Sequence, residues 1–183
     1  DQQQLSIVQN TLRDCLESVS ILIDDYKMKN LSDSLIAKHF SNVASKMSIS
    51  FFPQKSIYNQ IAQSEYLELI GDEKLKRNLS SLYEHLDDRN NSGSLKFDQF
   101  NMEFDIALID LVKYRIEMIE VDNSVDLVTS VTDYKVSNKY RQNDFVLGYY
   151  YNAEKIVYFY LELLKKYDAL MKEIILQLED LEQ

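Results

Sequence analysis

Apolar residues recur at spacings of three and four over long reaches of this chain, and the two strongest runs lie at its ends. From Gln3 to Met28, Leu5, Val8, Leu12, Cys15, Val19, Leu22 and Tyr26 follow one another without a miss. Arg13, Asp14, Glu17, Asp24 and Asp25 lie away from that seam. The pattern predicts a long amphipathic helix. From Asp144 to Glu182, Val146, Tyr149, Ala153, Ile156, Tyr160, Leu163, Tyr167, Leu170, Ile174, Leu178 and Leu181 sustain the same spacing. A helix of that length spans roughly 55–60 Å.

Shorter helices are predicted between them. Asn30 or Ser32 offers a cap for about Asp33–Met47, with Ile36, Phe40, Val43 and Met47 inward. Residues 48–54 read as extended, because Pro53 disfavours a helical Phe52. Ser56 can cap a helix carrying Ile57, Ile61 and Ala62, and Gly71 reads as a helix stop after Leu69 and Ile70. Asp72 then caps a helix with Leu75, Leu79, Leu82, Tyr83 and Leu86 inward. The polar stretch 87–94 reads as a connection, 97–121 as a fifth helix, and 122–143 as an irregular crossover. The expected fold is all-α: one domain over residues 1–183, an elongated helical bundle with its long terminal helices packed antiparallel and shorter helices between.

Composition supports that class. Three Gly and one Pro cannot punctuate the many turns of an all-β or α/β chain. The net charge of −10 excludes nucleic acid, which needs clustered Lys and Arg, and an anionic membrane surface. No apolar run approaches the roughly 20 residues of a membrane span. Cys15, on the apolar seam, reads as a small buried hydrophobe.

Candidate chemistry is sparse. Asp88, Asn90, Ser92 and Gln99 fall at the first, third, fifth and twelfth positions of a calcium-loop pattern, with Gly93 at its sharp turn. Gln99 stands where a bidentate Glu belongs, so the stretch is a weak calcium candidate. His39 and His85 lack the Glu-x-x-His context of a di-iron bundle. Together with Cys15 they make no zinc spacing. Neither a nucleophile motif nor a phosphate-cradling glycine loop is present. The reading is therefore non-enzymatic and without a cofactor. The last helix is crowded with Tyr149, Tyr150, Tyr151, Tyr158, Phe159 and Tyr160. Consecutive residues point about 100° apart, so these rings cannot share one core. Tyr150, Tyr151 and Tyr158 are the candidates for a ligand or partner surface.

Residues 56–75 resemble a family of uncharacterised, membrane-anchored helical proteins of Bacteroidota. Tyr58, Ile61, Ser64, Leu69, Ile70, Asp72 and Leu75 suit its pattern, with Glu65 where that family usually has Gly. The closing helix, with Tyr150, Tyr160, Leu163, Leu164, Tyr167 and Leu170, is similar to the family's ending. The chain starts at Asp1 without Met, from which a preceding segment is expected. The resemblance implies one membrane helix upstream and a domain on the periplasmic side of the inner membrane; a cytoplasmic setting is the alternative. The expected partner is a protein or a small ligand. A helical-bundle sensor domain of a transmembrane receptor and an oligomeric scaffold are the competing readings.

Overall fold

The structure is a computed structural model that describes residues 1–47, 49–121 and 124–181. Its elements run α1 (Gln2–Met28), α2 (Asp33–Lys46), α3 (Ser56–Ala62), α4 (Tyr66–Leu69), α5 (Glu73–Ser80), a π-helical stretch (Ser81–Leu86), α6 (Asp87–Leu108), β1 (Val112–Val121), β2 (Ser124–Val136), a 3-10 turn (Tyr140–Gln142) and α7 (Asp144–Leu181). It is an all-α helical bundle carrying one small two-stranded sheet. Among the described residues no helix is long and apolar enough to cross a membrane.

The chain resolves into two compact units. One comprises residues 1–10, 50–96 and 159–183, the other residues 11–49 and 97–158. Both long helices and α6 contribute to each.

In the unit formed by 11–49 and 97–158, Leu12, Cys15, Val19 and Leu22 of α1 are fully buried, as are Ile36 and Val43 of α2. Fully burying one such side chain contributes about 1.5–3 kcal/mol. Phe40 stacks on Phe104 at 5.2 Å, and Phe104 lies 6.2 Å from Tyr150. Tyr26 donates to Asp144 Oδ1 at 3.1 Å, so the end of α1 meets the start of α7 and the two helices run antiparallel. The turn after α1 is closed by an ion pair with a buried carboxylate and a partly exposed guanidinium. Asp25, 1% exposed, accepts from Leu31 N–H at 2.7 Å and from Arg141 Nη1 at 3.2 Å. Arg141 Nη2 donates in turn to the Leu31 carbonyl.

The sheet belongs to the same unit. β1 and β2 pair antiparallel from Val112↔Val136 to Val121↔Ser124, with a bulge at Thr132, which the register skips between Arg115↔Asp133 and Ile116↔Val131. The ribbon lies on α2, where Tyr114 meets Phe40 edge-on at 5.7 Å.

In the unit formed by 1–10, 50–96 and 159–183, Asn90 and Tyr160 grip the backbone of Phe51. Phe51 N–H donates to Tyr160 Oη at 2.9 Å, Tyr160 donates to Asn90 Oδ1 at 2.9 Å, and Asn90 Nδ2 donates to the Phe51 carbonyl at 2.7 Å. This closed ring satisfies the buried peptide groups of a segment that has no secondary structure to do so. Asp72 caps α5, accepting from Lys74 and Leu75 N–H at 2.7 and 3.1 Å, as its spacing predicts.

Three expectations need correction. Residues 87–94 are not a connection but the first turns of α6, their polar side chains being used for internal bonds such as those of Asn90. The fifth helix does not reach Val121: it ends at Leu108, and Val112–Val121 is a strand. Val112, Tyr114 and Ile116 alternate with Lys113, Arg115 and Glu117 at period two, and the step from Leu111 to Ile116 was already off the helical period. The crossover is largely β2, although residues 122–123 fall outside the described residues.

Candidate functional site

The candidate site is a groove of about 640 Å3 in the unit formed by 11–49 and 97–158. α1 supplies Asp14, Glu17 and Ser18; α2 supplies Ser34, Leu35, Lys38, His39, Ser41, Asn42 and Lys46; β2 supplies Ser130, Val131 and Tyr134. The helical period explains the α2 set. Positions 34, 35, 38, 41 and 42 repeat at three and four, so one mostly polar face turns to the groove while Ile36, Phe40 and Val43 turn to the core.

Its polar groups are wired together. Asn42 Nδ2 donates to Ser18 Oγ at 2.7 Å, and His39 Nδ1 lies 3.3 Å from that oxygen. The Ser18 oxygen bridges the two side chains: it accepts from Asn42, and toward His39 Nδ1 it donates or accepts according to the imidazole tautomer. Desolvation lowers the pKa of His39, Lys38 lowers it further, and Glu17 opposes the shift. Lys46 pairs with Asp14 at 3.0 Å. Glu17 and Lys38 have no ion-pair partner among the described residues.

The arrangement suits binding rather than acyl transfer. Ser18 is buried at 4% exposure and bonded on both sides, so its hydroxyl serves as a hinge pin between α1 and α2. Burial pushes the Cys15 thiol up to about 12, leaving it unreactive near neutrality.

A second groove in the same unit, about 620 Å3, lies along the end of α6 and β1, with Asp105, Ile109, Asp110 and Tyr114 among its walls. Burial raises the Asp105 carboxyl and, with Asp105 nearby, pushes the Tyr114 hydroxyl up to about 12. In the other unit, Tyr58 stacks on Tyr83 at 4.8 Å beside a smaller hollow of about 300 Å3.

The sequence-derived candidates lie elsewhere. Tyr150 is fully buried, its hydroxyl 2.5 Å from that of Tyr140, and presents no surface. Tyr151 and Tyr158 are exposed at 44% and 54%, and Tyr151 carries Lys27 Nζ 5.8 Å from its ring centre; neither lines the grooves above. The calcium reading fails on geometry. Residues 88–99 are helical throughout, so Asp88 and Asn90 project about 200° apart and cannot converge on one ion. Asn90 is spent on Phe51 and Tyr160, Ser92 is exposed, and Gln99 donates to Glu103 at 2.9 Å.

Sequence reasoning missed the groove because its third wall, β2, was read as irregular chain. A signal existed in Ser34, Lys38, Ser41 and Asn42, a polar stripe at helical spacing on α2. Comparison of the chain with protein-family models, curated proteins and solved structures finds no match.

Proposed function

We propose that this chain is a non-enzymatic interaction domain that holds a small ligand in the groove between α1, α2 and β2. The observation that carries the reading is the groove itself. Its 640 Å3 falls within the roughly 300–1,000 Å3 of small-molecule sites. It brings a few fixed polar groups beside an apolar wall, the usual composition of such sites. The setting on the periplasmic face of the inner membrane, through an upstream anchor, rests on the resemblance of residues 56–75 to the Bacteroidota family.

A thermal-shift screen of the chain against a metabolite panel tests the reading. A ligand of the groove raises the melting temperature of the native chain and leaves that of a Ser34→Trp variant, with an indole set into the groove wall, unchanged. A panel without any shift, or shifts that survive Ser34→Trp, would count against the groove.

A second reading, self-association, is favoured by a different surface. Met102 and Ile106 of α6 and Ile109 in the turn that continues it are 64%, 72% and 59% exposed and share one stripe at spacings of four and three. A contiguous apolar stripe of this kind is a common protein contact. Light scattering reads it directly: a dimer that Ile106→Lys converts to monomer supports it, and a monomeric native chain removes it.

A further inference from the structure

We infer that the groove between α1, α2 and β2 takes a small zwitterion of the α-amino-acid type, its carboxylate met by Lys38 and His39 and its ammonium by Glu17. The inference rests on the groove being the ligand site and adds the chemistry of the occupant.

The charges make the first argument. Asp14 and Lys46 are occupied by each other at 3.0 Å. Glu17 on α1 and Lys38 on α2 line the same groove and are left without an ion-pair partner among the described residues. Both act on one imidazole, Lys38 disfavouring its charge and Glu17 favouring it, so a free cation and a free anion flank His39. A simple anion would meet Lys38 but also face two carboxylates. A simple cation would meet the reverse. A ligand carrying both charges satisfies both walls, and its zero net charge spares it the repulsion that a chain of net charge −10 exerts on a simple anion.

The hydrogen-bond wiring makes the second argument. The links Asn42–Ser18–His39 hold the imidazole at a set angle in the groove wall. In the tautomer the proposal requires, with the proton on Nε2, the imidazole adds a neutral donor to the Lys38 ammonium, and both bonds to a carboxylate are charge-assisted. The apolar wall makes the third. Leu35, Val131 and Tyr134 line the groove, and Leu35 and Tyr134 stand 41% and 45% exposed. They provide a surface for an aliphatic or aromatic side chain attached to the charged centre.

The test is calorimetric titration of the chain with each of the twenty proteinogenic L-amino acids at millimolar concentration, with their N-acetyl derivatives as controls. At least one amino acid with an apolar side chain is expected to bind. Its N-acetyl derivative, which has lost the ammonium, should not. Glu17→Gln and Lys38→Ala, both at exposed positions, should each weaken binding roughly tenfold or more, as removal of a hydrogen bond to a charged group does. Unchanged melting temperatures of the free variants establish that they fold. Binding that survives either substitution, or equal binding of the N-acetyl derivative, overturns the inference. If no amino acid binds but a sugar, nucleoside or dicarboxylate does, with loss on Ser34→Trp, the zwitterion is wrong and the groove stands. If neither set binds, both fall.

Discussion

His39 of α2 and Asp25 of α1 are ionisable residues tied to their neighbours by hydrogen bonds. His39 is kept neutral by desolvation and by Lys38, so its folded pKa lies below the ordinary 6.5. Below pH 6.5 the unfolded chain takes up a proton that the folded chain resists. The unfolded state then binds more protons, and stability falls as pH drops through that window, with no contribution above it. His39→Gln is expected to flatten this decline between neutrality and pH 5 in urea unfolding; an unchanged slope would place its origin elsewhere. Asp25 is a buried charge held by Arg141 and the Leu31 amide. Asp25→Ala takes the acceptor from the Leu31 amide and from the partly exposed Arg141 guanidinium and is expected to cost roughly 1.5–3 kcal/mol. A loss under about 1 kcal/mol in the same assay would mean the pair behaves like an exposed one.

At the scale of elements, the terminal helices were legible and the β-ribbon was not. All seven seam residues of α1, from Leu5 to Tyr26, are buried, because a strict three-and-four spacing admits one inward face. In α7 the buried seam is Val146, Tyr150, Ala153, Val157, Tyr160, Leu164, Tyr167, Met171 and Ile174, with Leu161 buried beside it. The sequence reading shares every seventh residue of it and sets the intermediate ones a single position early. Adjacent apolar residues such as Tyr149 and Tyr150 leave that choice to the neighbours. The ribbon escaped because scarcity of Gly and Pro excludes many turns, not one, and only two residues separate β1 from β2. The first turns of α6 escaped for the opposite reason: they carry Asn90, Asn91, Ser92, Gly93 and Ser94, a turn-like composition, yet Asn90 and Ser94 are buried and bonded. Gly93 offers the check. A Cβ there would lie 3.7 Å from the Tyr160 ring, an ordinary contact, and its φ is not positive. Gly93→Ala is therefore expected to stabilise the chain by about 0.5–1 kcal/mol in thermal or urea unfolding. A calcium-type loop with a left-handed residue at this position would lose stability instead.

For the molecule as a whole, the helical class and the pairing of the two ends could be read from periodicity, since burial of long stripes admits few solutions. The groove could not, because it depends on three stretches far apart in sequence: Ser18 of α1, Asn42 and His39 of α2, and Tyr134 of β2. Each is unremarkable alone, and only tertiary packing makes them neighbours. The chain's path through its two units carries a practical consequence. α1, α6 and α7 each run from one unit into the other, so neither unit corresponds to a continuous stretch that a gene fragment could encode. Any attempt to isolate the groove by trimming must sever three hydrogen-bonded rods in mid-turn, exposing raw peptide ends at every cut. Work on the groove calls for point changes in the intact polypeptide.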